Sequence, residues 1–333
     1  MKLGDIGEFG FIDRIAPLGR VRPEGVIKGI GDDCAVISLS GAEYLLVTTD
    51  LLVENVHFIL DWAPAEIIGA KALTVNLSDI AACGGVPRDA FISLAIPPHI
   101  DLDWLDGLYR GLAGAARASS VNLLGGDTTR SKGHLVINVA VTGLVRPDEV
   151  LLRHTAAAGD IIVLTGPTGR SGAGCDFLLR GVGRDDASAR SLIRAHLEPR
   201  AHLREARIIA ESGAASAAID VSDGLSSDLA HLCKDSGLGA ILREENIPLS
   251  PDLIRAGIEL GKDPLDWVLH GGEDYVLLAA VKPEQLTSLM GTAERHGCTF
   301  FPIGEFVTRG GIEMIRADGT RLPITARGWD HFR

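Results

Sequence analysis

Lys71-Ala72-Leu73-Thr74-Val75-Asn76-Leu77-Ser78-Asp79-Ile80-Ala81-Ala82 is the stretch on which the reading of this chain depends. Ile67, Ile68, Lys71, Ala72, Val75, Asn76 and Asp79 follow three- and four-residue steps, which predicts a long, largely apolar helix opened by Pro64 with Asn76 and Asp79 on one face. A surface turn cannot explain an acid in that setting, and a carboxylate buried there needs a partner. The partner is either a neighbouring side chain, Asn76 or Ser78, or something that binds from outside the chain.

Outward from Asp79, acids recur where apolar runs meet sharp turns: Gly31-Asp32-Asp33, Thr48-Thr49-Asp50, Gly125-Gly126-Asp127, Ile219-Asp220 and Val221-Ser222-Asp223-Gly224. Each alone has an ordinary explanation. Gly-Asp pairs are turn chemistry, Asp127 fits a hairpin turn, and an Asp here can cap a helix starting at Leu225. Together they describe one oxygen-ligand site for hard cations. Carboxylates gathered beside turn backbone repel each other and any phosphate unless divalent ions lie between them, so the pattern implies magnesium and a polyphosphate.

The strand predicted at 44–49 stops at Asp50 and delivers that carboxylate from its end. Residues 101–119 read as a second helix, 121–124 as a short strand ending in a Gly125-Gly126-Asp127-Thr128-Thr129 loop, and 135–145 as a further strand. Arg146-Pro147-Asp148-Glu149 is the first polar, proline-marked break, so a boundary is expected near 146–158, with domains at 1–150 and 151–333. The second domain opens with a strand at 160–165 running into the glycine-rich turn at 166–174. Helical patterns fill 175–213, a strand at 217–221 leads to Ser222-Asp223-Gly224, and strands at 275–281 and 299–306 close the domain.

A length of 333 residues agrees with two domains. With 44 acidic against 32 basic residues the net charge is −12, and no block of Lys or Arg could follow a nucleic-acid backbone, so nucleic acid is not an expected partner. The five cysteines are scattered and never in Cys-x-x-Cys spacing, which suits buried thiols in a reducing compartment. Glycine and acid interrupt the N-terminal stretch before a signal h-region could form, and no apolar run approaches the roughly 20 residues of a membrane span. A soluble, cytoplasmic protein is expected.

Familiar phosphate-binding motifs are missing. The 166–174 loop does not match Gly-x-Gly-x-x-Gly, and Gly261-Lys262 is followed by Asp263 rather than Ser or Thr. A phosphate binder without either motif relies on metals and glycine-loop amides. The ten histidines show no zinc spacing, and no nucleophile–base arrangement can be argued. His57 by itself reads as structural, and Trp329 as a packed C-terminal aromatic.

Taken in order, Gly29-Ile30-Gly31-Asp32-Asp33-Cys34-Ala35, Thr48-Thr49-Asp50, the 71–82 stretch, Leu124-Gly125-Gly126-Asp127-Thr128-Thr129-Arg130, Ile219-Asp220-Val221-Ser222-Asp223-Gly224-Leu225, Gly271-Gly272-Glu273-Asp274-Tyr275 and Gly328-Trp329-Asp330-His331-Phe332 resemble the thiamine-monophosphate kinases, over nearly the whole chain. Single motifs recur in the wider superfamily of aminoimidazole ribonucleotide synthetase. The resemblance implies an α+β protein of two α/β-layered domains of the aminoimidazole ribonucleotide synthetase type, a homodimer through its N-terminal sheets. It also implies ATP-dependent phosphorylation of thiamine monophosphate to thiamine diphosphate with several Mg2+ ions. Carried over by residue, Asp33, Thr48, Thr49, Asp50, Asp79, Asp127, Asp220 and Asp223 would hold magnesium. Gly126, Asp127, Arg153 and Ser222 would meet ATP, and His57, Glu273 and Trp329 the thiamine part. Two departures stand out: Arg170 precedes Ser171 where many relatives carry an acid, and 196–200 is shorter than the usual proline-arginine motif.

No general base is expected, because an oxygen of the acceptor's own phosphate is already anionic. The alternatives are another ATP-dependent enzyme of this superfamily, of cyclase or synthetase type, and an ATP or metal sensor without turnover. The C-terminal 331–333 lacks the cysteine of the hydrogenase-maturation dehydratases, and the N-terminal segment lacks that of the selenophosphate synthetases.

Overall fold

The computed structural model describes residues 3–19, 21–183, 185–329 and 331–332, so Asp330 of the C-terminal motif lies outside the described residues. Helix α1 (Gly7–Gly19) precedes strands β1 (Val26–Lys28), β2 (Ala35–Ser38) and β3 (Tyr44–Val53). Helix α2 (Ala65–Ala82), β4 (Val86–Ile96), α3 (Leu102–Ala118), β5 (Asn122–Arg130) and β6 (Val136–Val145) follow. They build a six-stranded sheet in the order β1-β2-β3-β6-β4-β5, antiparallel except for the β4–β5 pair.

The second half runs β7 (Ile161–Leu164), α4 (Arg170–Arg180), α5 (Ala187–Leu197), α6 (Leu203–Ser212), β8 (Ala215–Asp220), α7 (Leu225–Ser236) and β9 (Gly239–Arg243). It continues with α8 (Pro251–Leu260), α9 (Pro264–His270), β10 (Leu277–Val281), α10 (Pro283–Arg295), β11 (Phe301–Val307), β12 (Gly311–Ile315) and β13 (Arg321–Ile324). The second sheet has seven strands in the order β13-β12-β9-β11-β7-β10-β8. Two sheets with helices packed against them make the expected α+β architecture.

Helix α2 buries thirteen of its 18 residues, because it is packed from two sides: β3, β4 and β6 on one, α6 and β8 of the second half on the other. That double burial is why it reads apolar nearly all round. It crosses α3 through glycines. A Cβ on Gly69 would lie 2.1 Å from the Leu108 carbonyl oxygen, and one on Gly111 1.9 Å from that of Glu66.

Several boundaries differ from the sequence expectations. β3 does not stop at Asp50 but runs to Val53, since Leu51-Leu52-Val53 continues the apolar run and all ten residues pair with β6. The 125–129 run is not a loop; it lies within β5, where β4 provides a parallel partner along its length. Gly126 makes this possible, as its φ is +147° and a Cβ there would lie 1.6 Å from the Ile92 carbonyl oxygen. β1, β2, β4, β9, β12 and β13 were not foreseen, and the last two mean that the strand at 301–307 does not close the domain. All five cysteines are free, four of them buried and Cys175 half-buried. No helix among the described residues is long and apolar enough to cross a membrane.

Candidate active site

Asp79 emerges from α2 where the helix meets β3 and β8. Thr48 Oγ1 donates to Asp79 Oδ2, and the Asp50 amide donates to Asn76 Oδ1 at 3.0 Å. Ser78, one residue before Asp79, donates its hydroxyl to Asp220 Oδ2 at 2.6 Å, tying α2 to the end of β8. Asp33 arrives from the β1–β2 segment, paired with the Arg153 guanidinium. Ligand oxygens of Asp33, Asp79 and Asp220 all lie within 4.8 Å of one another.

So many acids in one buried place resist ionisation. Burial, then the charge of Asp33, pushes the Asp50 carboxyl up to about 6 and that of Asp220 to about 8. Burial followed by the charges of Asp50, Asp220 and Asp33 drives Asp79 well above the ordinary range. A hard divalent cation would relieve this repulsion, and the donors are all oxygen, so the residues fit magnesium.

Asp50, Asp79, Asp220, Ser222 and Asp223 line a cleft of about 920 Å³. His57, Glu273, Trp329, Trp62 and Tyr275 line the same cleft. Glu273 sits in a turn held against the β8–α7 connection: its N–H donates to the Ser222 carbonyl at 2.7 Å, and Tyr275 N–H to that of Val221 at 2.9 Å. Trp329 N–H reaches the Asp223 carbonyl at 3.1 Å, which hangs the C-terminal segment over the same cleft. His57 accepts from the Val53 amide at 3.0 Å through Nδ1, and burial, then His331, lowers its pKa. The cleft is therefore lined by acidic and aromatic side chains together.

The AIR synthase related protein family matches the chain twice, its N-terminal domain at residues 31–145 and its C-terminal domain at 157–316. "Thiamine-monophosphate kinase" of Salmonella typhimurium is 36% identical over 98% of each chain. That of Aquifex aeolicus is 33% identical over the whole of both. The solved structure "AaThiL complexed with AMPPCP and TMP" superposes with a TM-score of 0.86 at 32% identity, covering 99% of each chain. The chain belongs to the thiamine-monophosphate kinase family.

As a thiamine-monophosphate kinase relative, the chain is an ATP-dependent kinase, and the sites expected from its sequence fall into two groups. Asp33, Thr48, Asp50, Asp79 and Asp220 come together on the α2 side of the first sheet, with Ser222 and Asp223 following on the next turn. Thr49 and Asp127 do not join them within one chain. Thr49 alternates to the opposite face, where Asn138 donates to its hydroxyl at 2.8 Å. Asp127 is paired with Ser93 and so shares that outer face, on an exposed edge strand. Register carries Asp50 to Val139, Val139 to Ile92 and Ile92 to Gly126. Three inter-strand spacings, about 14 Å, separate Asp50 from Gly126.

Arg153 is engaged with Asp33, and its backbone N–H donates to Asp32 Oδ2 at 3.2 Å. Two amides of the 166–174 loop are also taken by a side chain. Gly169 N–H and Ser171 N–H both donate to the Asp274 carboxylate, which burial raises to about 7. Sequence reasoning also missed Asp228, a buried acid in α7 that accepts from the Asp223 and Gly224 amides at 3.2 and 3.0 Å. Lys71 was read only as a step in the helical periodicity. The signal that exposed Asp79, a charge within an apolar helix, applies equally to it.

Proposed function

We propose that the protein transfers the γ-phosphoryl group of ATP directly to the phosphate of thiamine monophosphate, giving thiamine diphosphate by in-line displacement. One observation carries this reading: the ligand oxygens of Asp33, Asp79 and Asp220 lie within 4.8 Å of one another, and Asp79 and Asp220 line a cleft that also carries His57, Trp62, Tyr275 and Trp329. Asp33, Asp50, Asp79 and Asp220, with Thr48 and Asp223 beside them, would hold Mg2+. When bound, magnesium supplies neutralisation of the two anionic reactants.

The chain's own residues do the rest. Ser78 and Thr48 hold Asp220 and Asp79 by hydrogen bonds, so the carboxylates need little reorganisation. No side chain has to remove a proton, because the acceptor oxygen is already anionic. The exposed indole of Trp329 can stack on a heteroaromatic cation, and His57 and Glu273 line the same cleft.

The outer face of the first sheet presents Leu51, Phe91 and the edge residue Leu124 to solvent, beside Thr49 and Asp127. A homodimer formed through that face would cover these apolar side chains and enclose Thr49 and Asp127, with Gly126 next to Asp127 on the edge strand, giving them access to ATP at the junction of two copies. The cytoplasm, where ATP is at hand, is the compartment this reading requires.

The deciding assay follows ADP release from ATP and Mg2+ with thiamine monophosphate, free thiamine, or no acceptor. Turnover confined to thiamine monophosphate is expected. ATP binding without ADP release on any of the three would sink the kinase reading and favour a sensor.

A further inference from the structure

Lys71 lies in the interior of α2 with only 4% of its surface exposed, and a buried ammonium persists only when paired. Its Nζ donates to Glu273 Oε1 at 2.8 Å. The second carboxylate oxygen, Oε2, lies 3.2 Å from His196 Nδ1 on α5. Ser171 Oγ stands 3.1 Å from the same nitrogen and steadies the ring. Burial alone would raise the Glu273 pKa, but Lys71 and then His196 outweigh it and hold the group below its ordinary value.

The backbone is constrained as tightly as the side chain. Glu273 has a φ of +64°, in the left-handed region, and a Cβ on the preceding Gly272 would lie 2.5 Å from the Ser222 carbonyl oxygen. Three elements thus converge on one carboxylate: α2 through Lys71, α5 through His196, and the β8–α7 connection through the main chain. An ion pair that only joined elements could be sealed from solvent. This one keeps the Glu273 side chain 28% exposed on the cleft wall while Lys71 stays behind it at 5%.

We propose that Lys71, assisted by His196, is a positioning residue of the substrate site, locking the Glu273 carboxylate in one orientation so that it accepts a hydrogen bond from the exocyclic amino group of the substrate's pyrimidine. The inference rests on the function proposed above. A carboxylate offers about four acceptor positions, so two remain for a ligand after Lys71 and His196 are served. Because the ammonium cancels the carboxylate's charge, this subsite selects a donor at a defined place rather than any cation. The same helix carries Asp79 eight residues further on, a rise of about 12 Å, so α2 bears both the partner of Glu273 and a carboxylate of the metal cluster.

The test compares Lys71→Met, which keeps the length and loses the charge, with Lys71→Arg, using thiamine monophosphate and its analogue with oxygen in place of the exocyclic amino group. Lys71→Met should raise KM for thiamine monophosphate about 10- to 100-fold, leave KM for ATP unchanged, and erase the preference over the analogue. Lys71→Arg should recover part of that preference. Should Lys71→Met not fold, Lys71→Met/Glu273→Gln relieves the unpaired charge and is compared with Glu273→Gln, to which it should add nothing. Equal rises in both KM values, an intact preference for the amino group, or an additive double variant would overturn the proposal while wild-type turnover left the kinase reading standing. Absence of wild-type turnover would overturn both.

Discussion

Asp79 shows most directly how one side chain's surroundings set its chemistry. It is held by Thr48, crowded by Asp33, Asp50 and Asp220, and buried, so in the metal-free protein it stabilises nothing by being charged. Asp79→Asn should therefore cut kcat by at least about a hundredfold while leaving the thermal midpoint of the metal-free protein unchanged or higher, because the buried carboxyl it replaces resists ionisation there and no stabilising charge is lost. A midpoint that fell sharply would mean the carboxylate is structural. Trp329 is the opposite case: 56% exposed, it packs little. Trp329→Ala should change stability by under about 0.5 kcal/mol yet raise KM for thiamine monophosphate more than KM for ATP. Parallel increases in the two constants would remove it from the ring site.

Among the elements, α4 shows how a glycine-rich turn can look like a phosphate loop and act as something else. Its N-terminal amides at Gly169 and Ser171 are occupied by Asp274, the residue next to Glu273. The loop thus anchors the Glu273 turn instead of cradling an anion. Asp274→Ala would leave those amides without a partner and should cost about 1–2 kcal/mol in urea unfolding. It should also raise KM for thiamine monophosphate, since the Glu273 turn loses its anchor. A stability loss with unchanged KM would show that the two turns are not coupled. Arg170, the departure from the family pattern, turns away from the cleft and pairs with Asp252 of α8 at 3.0 Å.

At the scale of the whole molecule, two sets of buried groups give stability opposite pH slopes. His196, His202 and His231 are lowered from 6.5 to about 4, chiefly by burial, so the unfolded chain binds protons that the folded one refuses. Their contribution is lost as pH falls from about 6.5 towards 4. Asp50 and Asp220 are raised to about 6 and about 8, so the folded chain keeps protons that the unfolded one has released, and stability falls as pH rises. Above about 6.5 only the carboxylate slope remains. The metal-free protein should therefore melt lower at pH 8 than at 6.5, and Mg2+ should raise the midpoint more at pH 8. An equal effect of Mg2+ at both would argue against the carboxylate cluster as its site. The proposed homodimer is tested at this scale too: the wild type should sediment as a dimer and Leu51→Glu with Phe91→Glu as a monomer with depressed turnover, whereas a monomeric wild type, or a dimer that persists in the variant, would remove the proposed contact.

Much of this was legible in the chain because it rests on local physics. Helical periodicity and the anomaly of an acid among apolar residues identified α2 and Asp79, and the ordered set of acidic motifs pointed to the family and to the α+β class. Hydrophobic run lengths placed most strands, but they could not tell that β3 would continue through Asp50 or that 125–129 would pair as an edge strand, since pairing partners are not local. Which face a residue occupies, and which remote residue faces it, came only with the tertiary structure. Strand register put Thr49 and Asp127 on the opposite face from Asp79, and packing of α2 between the two halves set Lys71 against Glu273, 202 residues away. A sequence records that a charge is buried; the partner that makes its burial tolerable is chosen by how the elements pack.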